Sequence, residues 1–125
     1  MRRPSVRGLL TNGNFDIFTD VQVSSLPVTD AAIGALASTF RLLGDPTRVR
    51  ILMTLDDHDE LCVHEIAERV GATETKVSQA LRLLRTAGIV RNRRDGRHIH
   101  YRLDDDHVRT LLRVTAEHLD HGGVR

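Results

Sequence analysis

Residues 61–88 read LCVHEIAERVGATETKVSQALRLLRTAG, and this stretch decides the fold. Apolar side chains recur every three or four positions on both sides of Gly71-Ala72-Thr73, which predicts helices over 61–70 and 74–87. Gly71 ends the first helix, Thr73 caps the second, and Gly88 ends it. Two short helices joined in this way form a helix-turn-helix, whose second helix enters the major groove of DNA with its N-terminal half.

The second of these helices offers polar side chains that can contact DNA. Gln79 can pair with adenine, and Lys76 or Arg82 can pair with guanine, although each of them can equally bind a phosphate. The sequence leaves this choice open. The candidate DNA-contacting residues of the helix are Thr75, Lys76, Ser78, Gln79 and Arg82.

The segment after Gly88 predicts a β-hairpin. Residues 89–93 and 98–103 alternate in character and flank Asp95-Gly96, which is a strong signal for a hairpin turn. The tip is basic and suits the phosphate backbone or a minor groove, so its candidate DNA contacts are Arg93, Arg94 and Arg97. His98 and His100 lie on one face of a strand, but without a third ligand they read as ordinary surface histidines.

The charge of the chain is unevenly distributed. Residues 76–102 carry eight Lys and Arg side chains against Asp95 alone, a local balance of +7 in a chain whose net charge is +1. This separation indicates one phosphate-facing surface on an otherwise acidic body. An arginine-rich face that merely keeps the protein in solution is the alternative.

Two helices precede the helix-turn-helix and one follows the hairpin. Thr29 or Asp30 can cap a helix that runs to about Leu43, and Asp45-Pro46 then starts the next. The predicted fold is therefore mainly α with a small β-hairpin, a winged helix-turn-helix that dimerises through its first and last helices. We expect a flexible arm over 1–28, the domain over 29–121 and a short tail over 122–125.

Composition sets the protein class. The chain has 125 residues, 3% aromatic residues and no tryptophan, so its core must be built from Leu, Ile, Val and Ala, which favours helices over a sheet sandwich. No apolar run approaches the length of a membrane span or a signal peptide, so we expect a cytoplasmic protein with no membrane partner. Cys62 is the single cysteine and excludes an internal disulfide.

The last helix, over 104–121, carries a spaced set of metal-ligand side chains: Asp105, His107, His118 and His121. His107 and His118 are close to three helical turns apart on one stripe, about 16 Å along the axis, so one ion cannot collect both from one straight helix. If two copies of the helix run antiparallel, Asp105 and His107 of one chain meet His118 and His121 of the other. The spacing predicts a homodimer with two equivalent interfacial sites.

Three histidines and one carboxylate suit zinc in a filled tetrahedral shell. A filled shell favours sensing over catalysis, because a metallohydrolase needs an open coordination position, so we expect neither an enzyme nor a small-molecule substrate. Exposed histidines that share a helix face by chance are the alternative.

From about Asp30 to His121 the chain resembles the ArsR/SmtB family of bacterial metal-responsive repressors. The resemblance rests on a set of short sequence motifs in a fixed order: Leu42-Leu43-Gly44-Asp45-Pro46-Thr47-Arg48, Glu60-Leu61-Cys62-Val63, Val77-Ser78-Gln79-Ala80-Leu81, and Gly96-Arg97 before Tyr101. The spacing Asp105-x-His107-x10-His118-x2-His121 is similar to the zinc site on the last helix of the family.

The resemblance implies a mechanism. An apo dimer would bind an inverted repeat in operator DNA and be released by zinc, with cobalt or nickel as the second choice of metal. By analogy, His118 would relay metal binding through its second ring nitrogen to the backbone near Gly88. The family also has a thiolate site, but Cys62-Val63-His64 supplies only two ligands here, so we expect Cys62 to be a buried remnant. A regulator that answers a thiol-reactive or organic signal through Cys62 remains the rival.

Overall fold

The structure is a computed structural model that describes residues 29–120. The predicted arm, the predicted tail and His121 lie outside the described residues. The chain divides into two compact units, Met1–Ala35 and Leu36–Arg125. The described part of the first unit is the start of one helix, where the Thr29 hydroxyl accepts a hydrogen bond from the Ala32 amide at 3.1 Å. Among the described residues, no helix is both long and apolar enough to cross a membrane.

Within residues 29–120, five helices and three strands follow one another in the order that a winged helix-turn-helix requires. They are α1 (Asp30–Leu43), α2 (Pro46–Asp56), β1 (Leu61–Cys62), α3 (Val63–Val70), α4 (Glu74–Thr86), β2 (Val90–Asp95), β3 (His98–Leu103) and α5 (Asp106–Asp120). The mainly helical fold with a small hairpin is confirmed.

The predicted start and stop signals determine the helix boundaries. The Asp45 carboxylate accepts a hydrogen bond from the Arg48 amide at 3.0 Å, with Pro46 as the first helical residue of α2. The Thr73 hydroxyl accepts one from the Lys76 amide at 3.1 Å and caps α4. Gly71 ends α3 at a φ of 71°, which a residue without Cβ adopts without strain.

The prediction of a helix over 61–70 is wrong at its start. Leu61 and Cys62 form a short strand, which pairs with Tyr101 and His100 of β3. Cys62 is extended and its amide donates to the Glu65 carboxylate at 2.9 Å, so the helix begins only at Val63. The hairpin therefore gains a third strand, and the sheet has the order β1-β3-β2.

The hydrophobic core lies between the helix-turn-helix, α2 and one face of this sheet. Its fully buried side chains are aliphatic, as the composition requires. α5 adds one buried residue, Val108. The largest buried side chains are Ile51, Leu52, Leu55, Ile66, Val77, Leu81, Leu84 and Val90.

Candidate nucleic-acid interface and metal-binding helix

The recognition helix α4 has one buried face and one exposed face. Val77, Leu81 and Leu84 are fully buried, which fixes the rotation of the helix about its axis. The opposite face lines a shallow open groove, which is formed by Glu74, Thr75, Ser78, Gln79 and Arg82. Four of the five residues predicted on this helix therefore share one surface, and Lys76 is exposed beside it.

The hairpin turns at Gly96, whose φ of 65° is in the left-handed region. All residues from 91 to 98 are exposed, so the wing projects from the body of the domain. Arg94 and Arg97 take part in no ion pair among residues 29–120. Their guanidinium groups are available to an external anion.

Arg93 is instead engaged by a carboxylate that the sequence pattern did not reveal. Its Nε donates to both oxygens of Glu60 at 2.8 Å, and its Nη2 lies 2.8 Å from Oε1. The hydrogen bond from Arg93 lowers the pKa of Glu60, and the same bond raises the pKa of Arg93. The two residues are 33 positions apart, so only the strand register could have indicated their contact.

A second carboxylate holds the base of the wing. Asp104 lies 2.6 Å from Arg91 Nε and 3.5 Å from Arg102 Nη2. Together with the Glu60 pair, this contact neutralises part of the charge that the sequence assigns to residues 76–102. The free positive charge is thus concentrated on α4 and on the wing tip.

The start of α5 places two of the predicted metal ligands next to each other. The Asp105 Oδ1 atom accepts hydrogen bonds from the amides of His107 at 2.9 Å and Val108 at 3.1 Å, so Asp105 caps the helix. Its Oδ2 atom takes part in no hydrogen bond within residues 29–120. One carboxylate oxygen is therefore left for a metal, and the His107 side chain is 68% exposed.

The third described ligand, His118, is exposed near the other end of α5. A single chain does not bring the ligands together, and residues 29–120 contain no cluster of three or more His, Cys, Asp or Glu side chains that could hold a metal ion. The donors are of the kind that zinc takes. They therefore fit a metal only if a second copy of the helix completes the set. His121 lies outside the described residues.

Three charged residues fasten α5 to α2. Arg109 Nε lies 2.7 Å from Asp56 Oδ1, and Arg113 donates from Nε to Oδ2 and from Nη2 to Oδ1, both at 3.0 Å. Arg109 also donates to Asp106 and to the carbonyl of Leu103. The Asp56 side chain is 9% exposed and that of Arg113 is 63% exposed, so the carboxylate is sheltered from water and the outer arginine is not.

Burial raises the pKa of Asp56, but the hydrogen bonds and positive charges of Arg113 and Arg109 outweigh it, and the net pKa lies below the usual value. Asp56 is therefore a charged anchor for the helix that carries the candidate ligands. The pattern of the sequence indicated only an acidic turn at this position.

An apolar face extends beside α5. Phe40 is 59% exposed, Leu119 44% and Met53 37%. These side chains line an open groove together with Leu43, Gly44, Val49, Leu111, Leu112, Thr115 and Ala116. Exposed apolar area of this kind marks an interaction surface.

The remaining candidate ligands do not form a metal site among the described residues. Cys62 is half-buried, so the expectation of a buried remnant is only partly met. His64 lies 3.2 Å from Glu74 and points to the recognition helix. The rings of His98 and His100 are 6.4 Å apart and gain no third ligand among residues 29–120.

An exposed recognition helix, a basic hairpin and a helical core define a winged helix-turn-helix DNA-binding protein. Residues 45–92 match the family described as bacterial regulatory protein, arsR family. The regulator KmtR of Mycobacterium tuberculosis is 43% identical over 97 residues, which cover 78% of this chain and 74% of KmtR. The chain therefore belongs to the ArsR/SmtB family of transcriptional regulators.

Other relatives carry related names. The transcriptional repressor SmtB homolog of Synechocystis is 42% identical over 84 residues, covering 67% of this chain and 63% of the relative. The cadmium resistance regulatory protein CadC homolog of Staphylococcus aureus is 37% identical over 83 residues, covering 66% and 69%. The prediction that the chain is a regulator and not an enzyme is confirmed by this family.

Solved structures share the fold. The solution structure of apo-NmtR aligns with a TM-score of 0.68 and 38% identity over 81% of this chain and 84% of NmtR. The antimony-specific repressor AntR aligns with a TM-score of 0.69 and 31% identity over 82% and 91%. The named specificities of the relatives differ, so family membership does not identify the signal for this chain.

Proposed function

We propose that the protein is a zinc-responsive transcriptional repressor that binds an inverted repeat in operator DNA as an apo homodimer. The observation that carries the proposal is the placement of the candidate ligands on α5. Asp105 and His107 lie at one end of the helix and His118 near the other, and both histidines are exposed. That helix is anchored directly to the DNA-binding domain through Asp56.

The exposed apolar face supports a dimer. Phe40 and Leu119 lose contact with water if a second copy covers them, and burial of apolar area stabilises association. A two-fold axis beside α5 brings the two ends of the helix pair together, so Asp105 and His107 face His118 and His121 of the second copy. A homodimeric winged helix-turn-helix DNA-binding domain from Mycobacterium bovis, described as a possible ArsR-family regulator, aligns with a TM-score of 0.64 and 28% identity over 76% of this chain and 90% of that domain.

If each metal site takes ligands from both copies of α5, metal binding acts on the dimer interface and therefore serves as a signal to the DNA-binding domain. Zinc, when bound, would cross-link the two last helices. Because Arg109 and Arg113 tie α5 to α2, a change in the pairing of the last helices also moves the core on which α4 rests. Binding of metal and of DNA must then weaken each other by the same factor.

The donor set favours zinc over thiolate-preferring ions, because the chain has one cysteine. Cobalt or nickel is the second choice, since imidazole and carboxylate donors also suit these ions. The relatives named for cadmium resistance and for antimony show that the family serves several metals, so the metal must be found by titration.

The deciding experiment is fluorescence anisotropy of a labelled operator that has been selected from random DNA. We expect the apo protein to bind and zinc to weaken binding at least tenfold. His107→Ala should keep apo binding and lose the zinc effect. His58→Ala is the matched control, because His58 is also exposed but lies outside the ligand set, and its ring is hydrogen-bonded to the Thr54 carbonyl of its own helix end.

Cobalt and nickel titrations on the same DNA rank the metals. A zinc effect that survives in His107→Ala would contradict the site. Binding that no metal changes would direct attention to Cys62, which is half-buried and whose amide and thiol both face the Glu65 carboxylate. A response to a thiol-reactive compound that Cys62→Ser abolishes would then identify that signal.

A further inference from the structure

The two faces of the wing differ in charge. Successive residues of a strand point to opposite faces, so Arg91 and Arg93 lie on one face of β2 and Arg94 on the other. The face with Arg94 begins at Val90, which pairs with Leu103, and both residues are buried in the core. Arg94 therefore lies on the side of the sheet that packs against the helices.

Arg91 and Arg93 lie on the outer face, and each is paired with a carboxylate. Arg91 lies 2.6 Å from Asp104, and Arg93 makes a two-pronged contact with Glu60. This contact uses the Nε/Nη2 edge of the Arg93 guanidinium group, which is one of the edges with which an arginine can bind a phosphate. The outer face is thus neutralised, and the face with Arg94 is not.

The Glu60 contact spans the sheet. Arg93 pairs with His100 on β3, and His100 pairs on its other side with Cys62 on β1. Glu60 directly precedes β1, so the side chain of Arg93 reaches across the middle strand. β1 has only two residues, so this ion pair is a substantial part of the link between the edge strand of the wing and the entry to the helix-turn-helix.

We propose that Arg93 is a positioning residue, which holds the wing through Glu60, and that Arg94 and Arg97 make the phosphate contacts of the wing. This inference rests on DNA binding by the family fold and not on the metal response. It replaces the earlier expectation that all three arginines contact DNA. It also makes the acidic residue Glu60 a contributor to the binding of a polyanion.

The direction in which Glu60→Gln changes operator affinity tests the proposal. Removal of a negative charge near DNA should strengthen binding by simple electrostatics. If Glu60 positions the wing, Glu60→Gln should instead weaken operator binding, by about two- to fivefold, which is the range for a solvent-exposed ion pair. Asp59→Asn is the matched control, because Asp59 is the adjacent residue, is exposed and makes no ion pair within residues 29–120.

The test measures the affinity of the apo dimer for the selected operator by anisotropy, at salt concentrations between about 50 and 200 mM. The slope of log affinity against log salt then reports the number of phosphate contacts, because each contact contributes about 0.9 to it. Arg94→Gln and Arg97→Gln should each reduce the slope of log affinity against log salt by about 1.8, because each substitution removes one phosphate contact from each of the two wings of the dimer. Arg93→Gln should weaken binding by the same factor as Glu60→Gln. The double variant should be no weaker than either single one, because both remove the same contact.

Three results would overturn the proposal. The first is tighter operator binding by Glu60→Gln than by wild type, and the second is additive losses of affinity in the Glu60 and Arg93 double variant. The third is a loss of salt slope in Arg93→Gln that equals the loss in Arg94→Gln but is absent from Glu60→Gln. Complete absence of DNA binding by the wild type would overturn the DNA-binding assignment as well. Loss of zinc regulation alone would leave the inference intact.

Discussion

At the scale of single residues, carboxylate side chains cap helices of this protein and form the ion pairs that hold its elements together. Asp45 and Asp105 cap helices, Glu60 and Asp104 hold arginines of the wing, and Asp56 holds two arginines of α5. Asp56 is the most sheltered of the paired carboxylates. Removal of its charge would leave Arg113 without its carboxylate and Arg109 with Asp106 as its remaining one, so the charge-assisted hydrogen bonds to Asp56 would be lost.

Asp56→Asn should lower the free energy of unfolding by about 1–3 kcal/mol, because charge-assisted hydrogen bonds contribute that much. Urea denaturation at fixed protein concentration measures the change, since dimerisation makes stability depend on concentration. Asp57→Asn is the matched control: Asp57 is the next residue, is exposed and makes no ion pair within residues 29–120. Equal stability losses in both variants would contradict a specific role of Asp56.

The lowered pKa of Asp56 predicts that the free energy of unfolding depends on pH. The pKa of Asp56 is lower in the folded protein than its usual value of 3.8, so its contribution to stability is complete above that value. The contribution is lost as the pH falls through the lowered folded pKa, where the native state also takes up the proton. The difference in stability between wild type and Asp56→Asn should therefore be constant from pH 7 to 5 and shrink below about pH 4. A difference that stays constant down to pH 2 would rule this linkage out.

At the scale of elements, the wing depends on its turn. Gly96 has a φ of 65°, and a Cβ atom placed there would meet nothing within 4 Å. The cost of a side chain at this position is therefore backbone strain alone, because no neighbour has to move. The hairpin pairs Asp95 with His98 on the two sides of this turn, so strain at Gly96 acts directly on the wing tip.

Gly96→Ala should lower the free energy of unfolding by about 1–2 kcal/mol, which is the cost of a left-handed conformation for an ordinary residue. Gly96→Asn is the conservative control, because asparagine tolerates this conformation and should recover most of the loss. Urea midpoints of the three proteins measure the effect. Equal midpoints for the alanine and asparagine variants would show that strain at Gly96 is not the cause.

At the scale of the whole molecule, the apolar face beside α5 indicates association. Phe40, Met53 and Leu119 expose more than a third of their surface along one groove. A charge placed there would be buried without a partner in a dimer, at a cost that a monomer would not bear.

Leu119→Glu should therefore weaken dimerisation at least tenfold, as measured by sedimentation equilibrium. Leu83→Glu is the control, because Leu83 is exposed to a similar degree, 50%, but lies on the recognition helix. The control variant should remain dimeric even if its affinity for DNA changes. A monomeric control, or a dimeric Leu119→Glu protein, would show that the interface lies elsewhere.

The sequence by itself determined the order of the helices, the caps at Asp45 and Thr73, the hairpin and the family, although it placed the start of α3 two residues too early. These features depend on residues within a few positions of one another, because helical periodicity, caps and turns are local. The candidate metal ligands were found in the same way, since their spacing is set within one helix. Glycine and proline marked the boundaries of α2, α3 and the wing for the same physical reason.

Only the tertiary structure decided which charged residues meet. Arg93 and Glu60 are separated by 33 positions, and Asp56 lies 53 and 57 positions from Arg109 and Arg113. The strand Leu61–Cys62 likewise exists only because β3 offers it a partner. A local pattern carries no record of such contacts, because they form when the chain packs and each depends on the register and rotation of whole elements.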